Sequence, residues 1–468
     1  MNSNSSVRPF GIRDKIGYLL GDFGNDFTFI LSSSFLLKFY TDVMQVSAGV
    51  VGLVMMLARF VDAITDVTMG RICDRSRVTP NGKFKPWILR MCAPVAISSF
   101  LIYQSAFADS AMWFRILWLT VTYILWGSIF YTSINIPYGS MASAISHEPD
   151  HRQSLSTFRT MGSTLAGVVI GAGVPLLAYD TKTVGGVEIA QMNGPRFTVI
   201  AGVFSILAIV AHLLCYVLTT ERVKPDPVSR EHHGIGELVS SALKNRALLS
   251  IIVASVLMLL SQFTLQQMAN YVYPDYYANT SAQSVSTFAM LFGMVAAAAT
   301  ARPLTKKFGK AEISAVSAAV AGIVSALLFF VRPSNVWVYV LFNLFSWVGL
   351  GVFAMVSWAL ITDVIDDSEL RRGIREDGTI YALYSFSRKL GQAAAAGLTG
   401  LLLTVIGYEK IEGVALSEAV KSGIFNISTV VPAIGFILLA AVLWFWYPLH
   451  RHRVEGNVEA LRQKRENG

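Results

Sequence analysis

The sequence has little charge for its length. Of its 468 residues, only 15% are Asp, Glu, Lys or Arg, whereas 53% are hydrophobic, and the mean hydropathy is +0.52. An average soluble domain has about 25% charged residues. This shortage of charge argues against a protein built from ordinary water-soluble enzyme domains and indicates a membrane protein.

Cysteine is also scarce. The three cysteines, Cys73, Cys92 and Cys215, are too few and too scattered for a disulfide framework or a Cys-x-x-Cys metal site. We interpret them as small, buried apolar side chains.

A cleavable secretory signal is missing as well. The N-terminal segment is polar, and the apolar run that follows it is too long for a signal peptide and contains Asp22 and Asp26. We therefore expect the N-terminus to stay in the cytoplasm.

Long apolar segments, by contrast, are abundant. A membrane-spanning helix needs about 20 predominantly apolar residues, and twelve segments are candidates for such helices. They are 16–43, 46–70, 88–107, 112–144, 155–178, 196–219, 248–275, 283–302, 312–331, 336–363, 379–405 and 423–447. Because Gly, Pro or charged residues interrupt several of them, we expect a strict hydropathy window to score the first, second, fourth and eleventh poorly. The sequence predicts an all-α membrane protein with twelve transmembrane helices.

The basic residues indicate the orientation of these spans. The formal net charge is +8, and with both termini in the cytoplasm 27 of the 38 Lys and Arg residues lie in cytoplasmic segments or helix ends. Seven lie on the outer side and four lie within spans. Such a bias fits the positive-inside rule. The basic excess therefore reflects topology and not a nucleic-acid-binding surface, and we predict a multi-pass protein of a bacterial cytoplasmic (inner) membrane.

The spans form two sets of six, separated by the longest cytoplasmic connection. The predicted divisions are an N-terminal bundle (1–219), a middle loop (220–247), a C-terminal bundle (248–447) and a cytoplasmic tail (448–468), the tail being a short helix or disordered. Basic loops follow the second and the eighth span, GRICDRSRVTPNGKFKPW at 70–87 and RPLTKKFGK at 302–310. Two six-helix repeats predict such a pair of loops, and transporters built from repeats bind their substrate at the repeat interface near the membrane midplane.

Acidic residues lie in pairs within the first two spans. Asp22 and Asp26 are four residues apart, as are Asp62 and Asp66, so both carboxylates of each pair share one helix face. A charged residue inside a span costs about 2.5–3.5 kcal/mol on insertion scales and therefore marks a pathway or pairs internally. Asp62 and Asp66, with neighbouring hydroxyls such as Thr65, could bind Na+ through oxygen ligands or share a proton.

The alternative for these acids is a purely structural role. Four basic residues also lie within spans, namely Arg59, Arg159, Arg388 and Lys389. They could neutralise the acids in an internal salt-bridge network.

Polar and aromatic residues occur in the same helices as the charges. The segment 131–140, YTSINIPYGS, is unlike a lipid-facing segment, and we expect Pro137 to break the helix and free backbone carbonyls beside Asn135. Aromatic rings such as Tyr138 and Trp358 suit the apolar faces of sugars. Each has an ordinary alternative as well, as a core or interface aromatic or, for Asn135, as a contact between helices.

Several motifs together resemble one transporter family. They are KIGYLLGDFGNDF, FYTDV, ARFVDAITDVTMGRICDR, GKFKPW, TYILWG, NIPYGS, DVIDD and IREDGTIYALYSFSRKLGQA. Spread from residue 15 to about residue 408, they are similar to the glycoside–pentoside–hexuronide:cation symporters of the major facilitator superfamily. The resemblance implies the major facilitator fold, with two pseudo-symmetric six-helix bundles.

The resemblance also implies residue roles. Asp62 and Asp66 match acids that bind Na+, Li+ or H+, and we add Thr65 and Asn135 to this cation site. Asp26 matches an acid that contacts the sugar, Arg159 an arginine of the sugar pocket, and Lys389 a lysine near both sites. Further predicted substrate-binding residues are Asp22, Asn25, Asn135, Tyr138, Trp358 and Arg388. The predicted gating residues are Gly70, Asp74 and Arg75 in the GRICDR segment, with Asp363 and Arg371.

Two positions depart from the melibiose-type pattern of the family. Asn25 stands where that pattern has a basic residue, and Asn135 where it has a second sugar-binding Asp. The loss of this Asp removes a negative charge, whereas Arg159, Arg388 and Lys389 remain. Because a buried anion needs a paired cation, we favour an acidic glycoside or hexuronide as substrate.

The sequence therefore predicts a secondary symporter and not an enzyme. It would import a sugar or glycoside together with Na+ or H+, without a cofactor, as a functional monomer whose partners are the sugar, the cation and membrane lipid, with no nucleic acid. A neutral glycoside or pentoside, such as a xyloside or galactoside, is the alternative substrate. An uncoupled facilitator or a sugar sensor is a more remote alternative. A membrane enzyme would need acids near a membrane face and often a large extramembrane domain, and the acids here lie within spans.

Overall fold

The computed structural model describes residues 8–184, 187–223, 245–372, 377–411 and 414–466. The chain divides into two compact units, residues 1–230 with 409–415 and residues 231–408 with 416–468. Of the middle loop predicted at 220–247, residues 224–244 lie outside the described residues. The four predicted divisions of the chain stay a prediction.

The first unit is a bundle of long helices with one β-hairpin. Its helices are α1 (Ile12–Asp42), α2 (Ala48–Arg75), α3 (Lys85–Ile102), α4 (Met112–Ile124), α5 (Thr132–Ile145), α6 (Pro149–Leu177) and α7 (Gly194–Leu218). A π-helical turn, Leu125–Tyr131, joins α4 to α5 without a break. The hairpin consists of β1 (Tyr179–Val184) and β2 (Val187–Met192), which pair in antiparallel register from Tyr179 opposite Met192 to Val184 opposite Val187.

Among the described residues of the second unit, the regular elements are all helices. Its elements are α8 (Arg246–Tyr271), α9 (Thr280–Phe308), α10 (Lys310–Val331), α11 (Val336–Arg372), α12 (Asp377–Val405), α13 (Glu418–Ala441) and α14 (Arg451–Glu466). Short π-helical turns extend α8 over Val272–Tyr276 and α13 over Val442–Trp446. The helix α14 forms most of the predicted tail, so the helical alternative is correct there.

Within the described ranges, twelve helices have 18 residues or more when α4 and α5 are counted as one. Ten of them are apolar enough to cross a membrane, and the two exceptions are α1 and α12. Our prediction of poor hydropathy is confirmed for these two, which contain the in-span charges Asp22, Asp26, Arg388 and Lys389. It is wrong for the second and fourth spans, whose most apolar windows reach mean hydropathies of 1.7 and 1.3, because a long uncharged stretch outweighs their polar residues.

Three local features differ from the prediction. The hairpin β1–β2 was not predicted, although Val184-Gly185-Gly186-Val187 carries the Gly-Gly signal of a two-residue hairpin loop. Pro137 does not break its helix, because α5 continues through it to Ile145. The irregular backbone lies earlier, in the π-helical turn Leu125–Tyr131.

Glycines let α1 pack closely on its neighbours. A Cβ at Gly162 of α6 would overlap the backbone carbonyl oxygen of Leu19 on α1, and a Cβ at Gly21 would overlap the ring of Tyr138 on α5. Small residues at such crossings allow the backbones of membrane helices to approach. This approach brings the polar residues of α1 within reach of α5 and α6.

The core of the second unit joins α8 to α10–α13 with small and aliphatic side chains. Ala247, Ala254, Ala315, Ala318 and Leu360 are fully buried in it. A Cβ at Gly391 of α12 would lie 2.9 Å from Leu259 Cβ and 3.0 Å from the Val256 carbonyl oxygen on α8. This contact fixes α12 next to α8 close to the predicted site residues Arg388 and Lys389.

Candidate substrate and cation site

Two acids of α2 each accept a hydrogen bond from a hydroxyl group of the neighbouring span. Ser128 Oγ donates to Asp62 Oδ1 at 2.5 Å, and Thr132 Oγ1 donates to Asp66 Oδ1 at 2.9 Å. Both the acids and the hydroxyls are four residues apart, so the two contacts lie about one helical turn apart. The structure therefore brings the predicted cation ligands Asp62 and Asp66 together with Ser128 and Thr132, which were not predicted as members of the cation site.

The π-helical turn Leu125–Tyr131 places these two hydroxyls next to the two acids. The N–H of Thr132 bonds to the Gly127 carbonyl oxygen, five residues earlier, and Thr132 Oγ1 also donates to that carbonyl at 3.2 Å. A π-helical turn inserts one residue into a helix and is frequent at functional sites. Here it carries Ser128 and ends immediately before Thr132, so it sets the face on which both hydroxyls lie.

Arg59 completes this cluster. Its Nη1 lies 3.1 Å from Asp62 Oδ2, and its guanidinium lies 5.4 Å from the ring centroid of Phe29 on α1. The cluster therefore combines two carboxylates, two hydroxyls and one guanidinium.

The other predicted cation ligands are placed differently. Thr65 Oγ1 donates to the carbonyl oxygens of Val61 and Asp62 on its own helix, both at 3.2 Å. Asn135 is half-buried, one turn beyond Thr132 on α5. Among the described residues, no group of three or more His, Cys, Asp or Glu side chains could hold a metal ion, so a metal-ion site here would depend on hydroxyl, amide or backbone oxygens besides the two carboxylates.

Asp22 and Arg159 form an ion pair between α1 and α6. Arg159 Nε lies 2.9 Å from Asp22 Oδ1, and the guanidinium lies 5.3 Å from the ring centroid of Tyr138 on α5. The side chain of Asp22 is 9% exposed, whereas that of Arg159 is 40% exposed. The buried Asp22 therefore holds Arg159 in place, while part of the Arg159 side chain stays accessible.

Tyr138 supports this pair from the bundle interior. It is fully buried and stacks on Tyr18 of α1 with a ring-centroid distance of 4.6 Å, and its hydroxyl donates to the Tyr18 carbonyl oxygen at 2.6 Å. Asp26, one turn beyond Asp22, is half-buried. Asp22, Asp26, Tyr138 and Arg159, all predicted from the sequence, thus lie on three packed helices.

Asn25 faces another helix. Its Oδ1 lies 3.1 Å from His212 Nε2 on α7, and both side chains are about 1% exposed. The sequence analysis did not identify His212, because a single His in an apolar span gives no local sign of a distant partner. The structure thus places Asn25 in a buried contact between α1 and α7.

In the second unit, α11 and α12 bring two predicted residues together. The Arg388 guanidinium lies 5.8 Å from the Trp358 ring centroid, within the range of a cation–π contact. Trp358 also packs on Tyr381 and Tyr384, with centroid distances of 5.9 and 5.0 Å. Lys389, the next residue on α12, is half-buried.

The predicted gating residues lie at helix ends or in charge pairs. Gly70 and Arg75 belong to the last turns of α2, where Arg75 is exposed, whereas the side chain of Asp74 lies outside the described residues. Asp363 accepts a hydrogen bond from Lys310 Nζ at 2.5 Å. Arg371 pairs with Asp367 at 2.8 Å, a partner that the four-residue spacing could have indicated.

The fold and these residues agree with a comparison to known families. The model of the MFS/sugar transport protein family matches residues 17–451. The chain belongs to this family. It is therefore a multi-pass transporter of the major facilitator superfamily, not an enzyme, and the resemblance noted from the sequence motifs is confirmed.

Several curated relatives cover nearly the whole chain. The chain is 28% identical over 465 residues to the uncharacterized symporter YjmB of Bacillus subtilis, covering 99% of this chain and 98% of that protein. It is 28% identical to a putative sulfoquinovose importer of Escherichia coli, with 99% and 96% covered. It is 30% identical to the glucuronide carrier protein homolog of E. coli, with 93% and 92% covered.

A solved structure shows the same fold. The crystal structure of a bacterial homologue of the human lysosomal transporter Spinster matches with a TM-score of 0.64 and 11% sequence identity, covering 93% of this chain and 96% of that one. At this identity the similarity concerns the fold alone. The predicted all-α major facilitator fold is confirmed.

Proposed function

We propose that this transporter is a cation-coupled symporter that imports an acidic glycoside or hexuronide by alternating access. The observation that carries the proposal is the placement of Arg159. Its guanidinium is held by Asp22 and by the Tyr138 ring, yet 40% of its side chain is exposed. A cation that is fixed in place and still accessible is suited to bind a carboxylate or sulfonate through charge-assisted hydrogen bonds.

The coupling cation would bind at the cluster of Asp62, Asp66, Ser128 and Thr132. Arg59 pairs with Asp62, and the carboxylate and hydroxyl oxygens of the cluster lie close together on two neighbouring spans. Carboxylate and hydroxyl oxygens are hard ligands and suit Na+, whereas Asp66 could instead carry a proton. Coupling then requires that cation and sugar each raise the binding affinity of the other.

The names of two relatives support an anionic substrate. One is called a glucuronide carrier protein homolog and another a putative sulfoquinovose importer, and both names refer to sugars with an acidic group. Asn135 adds to this argument, because it is neutral where the melibiose-type pattern has an Asp. The proposed sugar-binding residues in the first unit are therefore Arg159, Asp22, Asp26 and Asn135, with Tyr138 as a support of Arg159.

Trp358, Arg388 and Lys389 of the second unit stay predicted substrate-binding residues. The Trp358 ring is 46% exposed and could pack against the apolar face of a sugar, while Arg388 is already held over that ring. For the membrane we propose the orientation predicted from the Lys and Arg distribution, with both termini in the cytoplasm of a bacterial inner membrane.

The proposal is tested by uptake into right-side-out membrane vesicles containing the full chain. Radiolabelled methyl β-D-glucuronide and methyl β-D-xyloside are compared under an inward Na+ gradient, an inward H+ gradient and no gradient. We expect gradient-dependent accumulation of the glucuronide. We also expect Asp66→Asn to abolish accumulation and Arg159→Ala to abolish glucuronide uptake. Accumulation by Asp66→Asn, or glucuronide transport that survives in Arg159→Ala, would refute the corresponding part.

A neutral glycoside is the second candidate, and one observation favours it. Asp22 at 2.9 Å already compensates the charge of Arg159, so no further anion is required for neutrality. Preferential uptake of the xyloside in the same vesicles would support this candidate. Equal equilibration without any gradient would support a facilitator.

A further inference from the structure

A glutamate after α7 binds the beginning of α3. Glu221 Oε2 accepts the backbone N–H of Lys83 at 2.7 Å, and Oε1 accepts those of Phe84 and Lys85 at 2.9 and 2.7 Å. The first N–H groups of a helix lack partners within the helix, and an anion near a helix N-terminus is stabilised by the helix dipole. Glu221 supplies that anion from 136 to 138 residues away.

The loop before α3 is shaped around this carboxylate. Gly82 has φ +107°, and a Cβ at this position would lie 2.5 Å from Glu221 Cδ. Thr79 and Gly82 exchange two backbone hydrogen bonds of 3.0 Å, which closes a tight turn. Only glycine suits this position, both for its backbone conformation and for the space that the carboxylate occupies.

The segment containing Glu221 is itself held firmly. Arg222, the next residue, pairs with Asp14 near the start of α1 at 2.9 Å, and Asp14 is completely buried. The backbone N–H of Arg222 donates to the Ala144 carbonyl oxygen on α5 at 2.8 Å. Lys85 Nζ donates to the Thr219 carbonyl oxygen at 2.7 Å. The segment therefore connects the ends of α1, α3 and α5.

The second unit contains a corresponding arrangement. Gly309, between α9 and α10, has φ +103°, and a Cβ there would overlap the carboxylate of Glu312. Glu312 Oε1 accepts the backbone N–H of Arg451, the first residue of α14, at 2.9 Å, and Arg451 Nη1 donates to the Lys307 carbonyl oxygen at 2.5 Å. In each unit, a carboxylate beside a positive-φ glycine joins the loop between the second and third spans to the segment after the sixth span.

We propose that Glu221 and Glu312 are positioning residues of the transport cycle. Each makes the basic loop of its unit rigid with the rest of that unit, so that the unit moves as one body when the transporter changes conformation. The loop held by Glu221 belongs to the stretch 70–87 that contains the predicted gating residues Gly70, Asp74 and Arg75. This role goes beyond the proposed substrate and cation, because neither glutamate belongs to the proposed binding residues.

The chemistry of the contact makes Glu221→Gln an informative variant. Two carboxylate oxygens accept three N–H groups, whereas a glutamine has one acceptor oxygen and turns an NH₂ group toward a remaining donor. Glu221→Asp keeps the charge. Glu188→Gln is the matched control, because Glu188 is an exposed residue of β2.

The first measurement needs no substrate. Hydrogen–deuterium exchange of the purified full-length protein is followed by mass spectrometry in peptides that contain Lys83–Lys85. We expect exchange there to be at least tenfold faster in Glu221→Gln, partly restored in Glu221→Asp and unchanged in Glu188→Gln. Wild-type exchange in Glu221→Gln would overturn the proposal.

The second measurement separates positioning from binding. In the vesicles described above, with whichever glycoside the wild type accumulates, Glu221→Gln should lower the maximal uptake rate at least fivefold without changing the half-saturating substrate concentration. An unchanged rate, or a loss of affinity that parallels a loss of thermal stability, would overturn the role in the cycle. If neither glycoside is accumulated, the proposed function fails, and the exchange result alone decides whether the glutamate holds the loop.

Discussion

Ser128 Oγ lies 2.5 Å from Asp62 Oδ1, and the same type of contact recurs one turn later between Thr132 and Asp66. The hydroxyls do not neutralise the carboxylates, because they donate hydrogen bonds without carrying charge. They fix the orientation of the acids, while Arg59 compensates one of the two charges. The proposed coupling to a cation rests on these oriented carboxylate and hydroxyl oxygens, which are hard ligands.

We expect removal of the Ser128 hydroxyl to change mainly the cation dependence of uptake. A hydrogen bond to a charged group contributes about 1.5–3 kcal/mol, and about 1.4 kcal/mol corresponds to tenfold in affinity. If Na+ is the coupling ion, Ser128→Ala should raise the half-saturating Na+ concentration at least tenfold, because the site loses an oxygen and an oriented carboxylate. If H+ is the coupling ion, the pH dependence of uptake should change instead, because the carboxylate of Asp62 loses a hydrogen-bond donor.

Thr120→Ala is the control for this experiment. Thr120 belongs to the same span, but its hydroxyl donates to the Ile116 carbonyl oxygen on its own helix at 2.8 Å. We expect this variant to keep the wild-type cation dependence. A Ser128→Ala protein whose Na+ and pH dependence both match the wild type would count against a cation site at Asp62.

The acids of this cluster and the basic residue Arg59 were predictable, but the hydroxyl partner Ser128 was not. The four-residue spacing of Asp62 and Asp66 is visible in the sequence and places them on one helix face. Ser128 was missed because its orientation depends on the π-helical turn, and a one-residue insertion of this kind leaves no periodic pattern in an apolar span. The prediction instead placed the irregular backbone at Pro137, which α5 accommodates within a continuous helix.

For the fold as well, local features of the sequence were predictable, whereas contacts between residues far apart in the chain were not. Span lengths follow from apolar runs, and even the charged spans α1 and α12 could be recognised despite their poor hydropathy. The hairpin β1–β2 was missed although its Gly-Gly signal is local, because its two short strands lie between two much longer apolar spans. The contacts of Glu221 with Lys83 and Lys85 join positions more than 130 residues apart, and a single chain gives no sign of such pairs.

Variants of the ion pair between Asp22 and Arg159 should separate effects on thermal stability from effects on substrate choice. Arg159→Ala leaves Asp22 buried without its cation, and because Arg159 is partly exposed, the cost should be smaller than that of breaking a fully buried pair, which is about 3–5 kcal/mol. The double variant Asp22→Asn/Arg159→Ala should therefore recover most of the thermal stability in detergent, yet fail to take up methyl β-D-glucuronide. Recovery of glucuronide uptake in the double variant would show that Arg159 serves stability alone.

Gly162 should be intolerant of a side chain, unlike another glycine of the same helix. A Cβ at Gly162 would overlap the Leu19 carbonyl oxygen, whereas a Cβ at Gly173 would meet no atom within 4 Å. Overpacking of this kind costs about 1–3 kcal/mol, and it would also move Arg159 away from Asp22. Gly162→Ala should thus lower the melting temperature and the uptake rate, while Gly173→Ala should change neither. Equal behaviour of the two variants would contradict the close α1–α6 contact.

The contact of Asn25 with His212 allows the predicted role of Asn25 in substrate binding to be tested against a structural one. The atoms Asn25 Oδ1 and His212 Nε2 are 3.1 Å apart in a fully buried setting. His212→Ala leaves the amide without this partner, which costs about 1–3 kcal/mol, so we expect a lower melting temperature and an unchanged half-saturating substrate concentration. Replacing both residues with leucine should restore part of the stability, because no unpaired polar group remains. The opposite outcome is that the double variant binds substrate more weakly while its melting temperature returns toward that of the wild type. Asn25 then contacts the sugar, and its structural role is secondary.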